Sequence, residues 1–421
     1  MSSASAIAAP PRAIKLALVT IVPFGAGYFF SYLYRVINAV IAPKLVAEFS
    51  LSPADLGFLT SAYFITYAAV QLPLGVLLDR YGPRRTQTGM LSISASGAVV
   101  FALADGFALL TVGRALIGLG LCGGLMSCLK ANALWWPRQR LALVNGICGG
   151  IGASGALAGT VPVQLALRVI DWHSLFFVLA LGTVAVALFI FAVVPEKSGQ
   201  GPVVRLGTQI REMRAVYTSA FYWRTTAFVC LHQGVYLSYQ SLWLAPWLRD
   251  VAGYDPIQVA NTLFLLNLSQ LVGAISVGAA ADRLQRIGIS PRACNVTAIA
   301  ISLVAQTMFA SGVTAYATLQ AIVFAFCAAA TLLVYTILNQ HFPAHLAGRV
   351  NTMQNTMMFS TAFAAQWGIG AIINLFPGDS AHYSTAAHRT AFFVMIGFEL
   401  VAFAYSVWPR RSIIAPSGGP G

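Results

Sequence analysis

Gly75-Val-Leu-Leu-Asp79-Arg80-Tyr-Gly82-Pro-Arg84-Arg85 is a short cationic turn set between two long apolar segments. A weaker copy stands in the second half of the chain, Gly278-Ala-Ala-Ala-Asp282-Arg283-Leu-Gln-Arg286. An acid–arginine turn repeated at corresponding places in two halves points to a duplicated helical bundle in a membrane. Gly75 and Gly82 permit close helix approach and a tight turn. Asp79 is suited to accept hydrogen bonds from a neighbouring helix N-terminus or to pair with an arginine across the halves. The turns therefore read as a latch made of Gly75, Asp79, Arg80, Gly82, Arg84, Asp282 and Arg283. The plainer reading is that Arg80, Arg84 and Arg85 only fix orientation in a bilayer.

Composition supports the membrane. The chain has 421 residues, 58% of them hydrophobic and only 9% charged, against about 25% charged in a soluble domain. Its apolar runs are continuous over 20 or more residues, which argues against the alternating strands of a barrel. Twelve spans result, from roughly 16–42 to 388–408. The one long polar stretch, 195–220, reads as a cytoplasmic linker, within which Ile210 to Tyr217 fits a short amphipathic helix on the membrane surface. The domain reading is 1–194, a six-helix bundle; 221–409, a second one; and 410–421, a cytoplasmic tail. The first span reads as retained rather than as a signal peptide.

The net charge of +13 would suit nucleic acid, but its placement excludes that use. Lys44, Arg168, Arg249 and Arg389 fall on one side of the spans and Arg35, Arg114 and Lys130 inside them; the rest of the 25 Lys and Arg residues collect on the other side. The positive-inside rule makes that side, and both termini, cytoplasmic. The six cysteines lie in or beside apolar helices without metal spacing, so neither disulfides nor zinc is expected. No cofactor, metal cluster, phosphate loop or nucleophile–base arrangement is expected, and so no enzyme.

Charges inside a span carry the functional signal, because an Arg or Lys at mid-helix costs about 2.5–3.5 kcal/mol. Arg35 shares a helical face with Tyr28, Ser31, Tyr32 and Asn38. Lys130 lies in the fourth span, where it either meets a ligand or snorkels to the headgroups. In the seventh span His232, Gln233, Tyr236, Tyr239, Gln240 and Trp243 recur at helical spacing; Tyr236 and Gln240 suit a polar ligand, and His232 a proton relay. Tyr63, Tyr67 and Gln71 in the second span, with Asn351 and Asn355 in the eleventh, add polar groups. Glycines crowd the fourth span (Gly118, Gly120, Gly123, Gly124) and the fifth (Gly146, Gly149, Gly150, Gly152, Gly155, Gly159). They read as packing faces. Of the twelve acidic residues only Glu399 lies deep in a span.

Both acid–arginine turns resemble the signature of the major facilitator superfamily. Arg114-Ala-Leu-Ile-Gly118-Leu-Gly120 resembles its fourth-helix motif, which groups Arg114 with the gating residues. Trp135-Trp136-Pro137-Arg138 and Trp172-His-Ser-Leu-Phe176 resemble its later helix boundaries. The implied fold is an all-α integral membrane protein of twelve helices in two pseudo-symmetric six-helix bundles. The stretch around Arg35 resembles Tyr-x-Asp-Arg of the anion:cation symporter branch, and Lys130 falls where that branch carries a fourth-helix arginine. The organophosphate transporter branch also uses a first-helix arginine. In those branches such cations bind an anionic substrate. The branch's acid before the arginine is Tyr34 here, so an obvious carboxylate proton carrier is missing from the cavity, and the twelfth helix with Glu399 is usually peripheral. The resemblance implies a monomeric transporter in the inner membrane, working by alternating access on a small organic anion with a proton or counter-anion as coupling partner. Substrate contacts would come from Arg35, Lys130, Tyr32, Asn38, Tyr67, Tyr236, Gln240 and Asn355. The competing readings are an inorganic anion or drug carrier and a transporter-like ligand sensor.

Overall fold

The computed structural model describes residues 10–196, 206–343, 346–377 and 382–407. The middle of the expected linker and the expected tail lie outside these residues, as does the side chain of Asp282. All described elements are helical. The first span is split by a turn at Ile37 into α1 (Pro10–Val36) and α2 (Asn38–Phe49). The second and third are the arms of α3 (Pro53–Ala102). The fourth divides into α4 (Phe107–Leu121) and α5 (Gly124–Trp135), the fifth into α6 (Leu141–Ala158) and α7 (Val161–Ala166), and the sixth is α8 (Trp172–Val193). After α9 (Leu206–Tyr217) comes the seventh span, α10 (Ala220–Ser238) and α11 (Leu244–Asp250) joined by a π turn, Tyr239–Trp243. Then follow α12 (Pro256–Arg286) and α13 (Pro291–Ala310). The tenth span is α14 (Ala317–Ala328) and α15 (Leu333–His341) with a 3₁₀ turn, Ala329–Leu332, between them. α16 (Ala347–Ile373) and α17 (Thr385–Val407) complete the chain.

Ten of these stretches are long and apolar enough to cross a membrane. α3 counts twice, because Gly82 leaves helical geometry at φ 76°, ψ 166°, a conformation open to glycine. The split seventh span supplies the twelfth crossing. Capping boxes at Ser52/Asp55 and Asp255/Gln258, each followed by proline, start α3 and α12.

Spans one, four, seven and ten are all interrupted. Within a membrane the freed backbone groups need partners from the protein, and side chains supply them. Gln71 Nε2 donates to the Cys122 carbonyl at the α4–α5 break (3.5 Å), and Asn295 Nδ2 donates to the Ala330 carbonyl inside the 3₁₀ turn (2.7 Å).

The two bundles meet where α3 crosses α16. A Cβ on Gly57 would stand 3.0 Å from the Gln366 carbonyl oxygen, 3.2 Å from the Trp243 ring and 3.4 Å from Gly370 Cα. Trp243 Nε1 donates to the Gln366 carbonyl (2.8 Å). The rings of Phe58, Phe363 and Trp367, and of Phe64, Tyr67 and Phe359, continue the contact. This seal lies toward the end bearing Ser50 and Gly253. The opposite end bears the Asp79–Arg85 turn and is called the basic end below.

The turn's contacts differ from a latch across the halves. Lys130 Nζ pairs with Asp79 Oδ1 at 2.7 Å. Arg84 Nε donates to the Phe191 carbonyl (2.9 Å), and Arg84 and Arg85 both reach Glu196 (3.2 and 2.7 Å). Arg80 lies over the Tyr81 ring. These partners all belong to the first half. A Cβ on Gly75 would meet nothing within 4 Å, so the close approach expected there is not made in this state. The amphipathic α9 also differs from expectation: its Met213 and Val216 are buried in an apolar cluster with Tyr222, Val350 and Met353, so protein covers that face rather than lipid.

Asp79 and Lys130 are each about a third exposed or less, so their pairing contributes roughly 1 kcal/mol at most. Asp79→Asn and Lys130→Gln are each expected to lower the thermal midpoint of purified protein by about one to two degrees. The double change should cost no more than either alone. Strictly additive losses would show that the two charges do not act as a pair.

Candidate functional site

A cavity of about 580 Å³ lies between the bundles on the basic side of the α3–α16 seal. Its lining residues Gly146, Ile275, Tyr335 and Asn351 sit in the basic-end halves of their helices. Arg35, one residue before the end of α1, enters it from the first bundle. Only 9% of Arg35 is exposed. Its guanidinium carbon sits 4.0 Å from the centroid of the Tyr32 ring, a cation–π contact that strengthens when desolvated. Tyr28 O–H donates to the Tyr32 hydroxyl (3.4 Å), and Tyr63 O–H donates to the Ser31 carbonyl (3.1 Å). Arg35 Nε finds no acceptor, and among the described residues Arg35 has no carboxylate partner.

The second bundle faces it with neutral amides. Three of them use their carbonyl oxygen inside the protein. Gln233 Oε1 accepts from Thr331 Oγ1 (2.6 Å), Gln270 Oε1 from Gln240 Nε2 (2.8 Å), and Asn355 Oδ1 from Tyr335 O–H (2.6 Å). The amide N–H₂ groups of Gln233, Gln270 and Asn355 are left as donors on a wall they share with Asn267 and Asn351. Arg35, the one cation among the described lining residues, stands opposite amide donors; such a site seeks acceptors, with charge-assisted bonds on one side and neutral ones on the other.

Of the expected substrate contacts, Arg35, Tyr32, Tyr67 and Asn355 line the cavity. Asn38 does not: the turn at Ile37 rotates α2, and Asn38 Nδ2 donates to Thr60 Oγ1 (3.0 Å). Lys130 does not either. The break at Cys122–Gly123 starts α5 in a register that turns Leu125, Met126 and Leu129 to the cavity and Lys130 to Asp79. Tyr236 is fully buried behind the wall, its ring edge-on to Phe324 at 5.2 Å. Gln240, in the π turn, stands one layer back and orients Asn267 and Gln270.

His232 is not on the cavity. Its Nδ1 lies 2.8 Å from Glu399 Oε2, with both side chains fully buried; α17 therefore carries a carboxylate facing inward. Arg114, grouped with the gating residues, is buried in the first bundle with its guanidinium 5.3 Å from the Tyr63 ring centroid, behind the Arg35 cage and away from the turn.

Asn267 and Gln270, the amides missed in the sequence, are three apart on the apolar α12, and that spacing is a usable signal. Gly146, Gly149 and Gly150 also line the cavity, and a Cβ on any of them would meet nothing within 4 Å. The packing role expected of the fifth-span glycines holds instead for Gly152 and Gly155, which abut Tyr28 and Phe29.

A second cavity of about 480 Å³ lies on the other side of the seal. Its cation is neutralised: Arg249 Nε pairs with Asp250 Oδ1 at 2.7 Å. Asp250 also accepts from the Tyr383 N–H (3.1 Å) and lies 2.9 and 3.2 Å from ring nitrogens of His382 and His388. The central cavity differs in that, among the described residues, its cation has no carboxylate partner.

Comparisons with known proteins agree with this architecture. The family model of the Major Facilitator Superfamily matches residues 24–366. A probable sulfoacetate transporter, SauU, of Cupriavidus necator is 27% identical over 301 residues, covering 68% of this chain and 70% of that one. The nitrate/nitrite transporter NrtP of a Picosynechococcus species is 30% identical over 129 residues, covering 31% of this chain and 24% of that one. Among solved structures, a bacterial homolog of the human lysosomal transporter Spinster, in an inward-facing and unoccupied conformation, superposes with a TM-score of 0.71 at 17% identity, over 94% of this chain and 96% of that chain. With twelve spans in two bundles and a family match across most of its length, this integral, multi-pass membrane protein belongs to the Major Facilitator Superfamily.

Proposed function

We propose that this protein is a secondary active transporter of a small organic anion. The single observation that carries the reading is Arg35, nine-tenths buried on the cavity wall without a carboxylate partner and opposite three amides that present donors. Such a site favours a substrate with an anionic head for Arg35 and a second acceptor-rich group for Gln233, Gln270 and Asn355. A sulfonate or carboxylate carrying a second acid or several hydroxyls has that form. The relative described as a sulfoacetate transporter points the same way and makes sulfoacetate the first compound to test. A drug carrier would be better served by a cation-free apolar cavity.

The positive-inside rule makes the basic end cytoplasmic. This state is then inward-open, with the α3–α16 crossing as the closed outer gate. Asp79, Arg80, Gly82, Arg84, Asp282 and Arg283 belong to the inner gate, here open. Alternating access would rock the bundles about the cavity so that the seal parts as the basic ends meet.

Arg35→Ala should reduce sulfoacetate uptake into proteoliposomes by roughly tenfold to a hundredfold, the value of a charged hydrogen bond of about 1.5–3 kcal/mol. Arg35→Lys should retain part of it, since a point charge survives without the planar fork. Near-normal uptake by a well-folded Arg35→Ala protein would sink the assignment.

Gln270→Met should weaken binding by about tenfold or less, whereas Gln270→Glu, which places a carboxylate where a donor stood, should abolish it. A Gln270→Glu protein binding as well as Gln270→Met would refute the donor wall.

Gly57→Val should wedge the seal at Gln366 and Trp243 and shift the resting population outward. Spin-label distances across the Ser50 end should lengthen, and unchanged distances would mean that this crossing does not gate.

A further inference from the structure

Among the described residues no carboxylate lines the central cavity, so a site for a proton that accompanies the anion is sought elsewhere. We propose that His232 and Glu399 form that proton site, inside the second bundle and one layer behind the cavity; the proposal rests on the anion-transporter reading above.

Both side chains are fully buried, with His232 Nδ1 2.8 Å from Glu399 Oε2. Ionisable groups within a membrane span are costly and are retained where they work. Gln306 Nε2 of α13 donates to both carboxylate oxygens, at 3.3 and 3.2 Å. With its Nδ1 hydrogen directed at Glu399, the imidazole gains and loses a proton at Nε2, the atom that has no partner. The loaded pair is neutral overall, an imidazolium beside a carboxylate. The unloaded pair leaves one net negative charge in the bundle, held only by neutral donors. Low-dielectric surroundings favour the neutral form.

The groups around the pair are few. The α14 face presents the Phe324 ring, edge-on to His232 at 6.3 Å. From the π turn, buried Tyr239 lies within electrostatic range of Glu399, its hydroxyl unpartnered. Tyr222, Cys230 and Tyr236 on α10, Cys327 on α14 and His388 on α17 are the other titratable side chains buried on these helices among the described residues, and Cys230 accepts a hydrogen bond from Gln354 of α16. Arg224 of α10 and Arg292 of α13 reach the Ser406 carbonyl, two turns beyond Glu399 on α17. Among the described residues no Lys, Arg or Asp pairs with either member.

The pair also has a route to the cavity. Tyr236 stands one turn from His232 on α10, with an unpartnered hydroxyl and with Arg35 and Tyr32 within electrostatic range. A proton on Nε2 removes a negative charge behind the wall that faces the substrate. Proton and anion therefore bind cooperatively, which is the linkage a symporter requires.

The test uses full-length protein and sulfoacetate as probe. In proteoliposomes, wild type should accumulate sulfoacetate about tenfold per unit of pH gradient for each coupled proton. His232→Gln and Glu399→Gln should lose that accumulation and keep counterflow exchange at zero gradient. A merely structural pair would instead lower both activities and the thermal midpoint together, which overturns the proposal. Independently of substrate, ¹⁵N-histidine spectra of purified wild type should show His232 Nε2 passing between its bare and protonated forms as pH is varied, and Glu399→Gln should alter that change. A His232 that keeps one protonation state at every pH at which the protein stays folded overturns the proton site and leaves the anion reading intact. If wild type shows no sulfoacetate counterflow while His232 titrates, sulfoacetate transport fails and proton binding at the pair stands.

Discussion

A guanidinium held nine-tenths out of water, with no carboxylate among the described residues to neutralise it, is the constraint around which this molecule is arranged. Arg35 cannot be left bare in a low-dielectric interior. The protein meets that cost in part with the Tyr32 face at 4.0 Å, while Tyr63, fixed to the Ser31 carbonyl, shapes the cage. It leaves Nε without an acceptor. Complete neutralisation by an Asp would stabilise the empty protein and remove its attraction for an anion. The missing acid before Arg35, where Tyr34 stands, is therefore consistent with binding.

Across the cavity, polarity is set by bonds made out of sight of it. Thr331, Gln240 and Tyr335 each donate to an amide oxygen of the wall, which commits the opposite end of that amide to donation. Gln240 does this from a π turn and Thr331 from a 3₁₀ turn. Irregular backbone at mid-membrane is tolerated where it lines or backs a cavity. Here it also decides which side chains face the cavity. The His232–Glu399 pair lies in the same bundle, so under the proposed mechanism protonation and anion binding would meet through one wall.

The α3–α16 crossing supplies the mechanical side. Gly57 lets α3 approach α16 closely, and aromatic rings on both helices fill the remaining space. At the other end the conspicuous charges are paired within the first half: Asp79 with Lys130, Arg84 and Arg85 with Glu196. Among the described residues the partners of this turn all lie in its own bundle, an arrangement that suits the open inner gate proposed above.

The class and architecture of this protein were legible in the chain alone. Continuous apolar runs admit only membrane helices, the repeated Asp–Arg turn marks two halves, and the stripe of Arg35 with Tyr28, Ser31 and Tyr32 marks the face that lines the central cavity, because within one unbroken helix spacing determines direction. Tertiary structure decided the rest. Periodicity assumes that a span is one helix, and spans one, four, five, seven and ten are not. The break at Ile37 turned Asn38 to Thr60, the break at Cys122–Gly123 turned Lys130 to Asp79, and the π turn set Gln240 behind Asn267 and Gln270. Those breaks persist because distant side chains such as Gln71 and Asn295 satisfy the freed carbonyls, and contacts of that kind have no local signature. Glu399 shows the same limit: a carboxylate deep in a span announces a role, but only packing of α10, α13 and α17 names His232 and Gln306 as its partners.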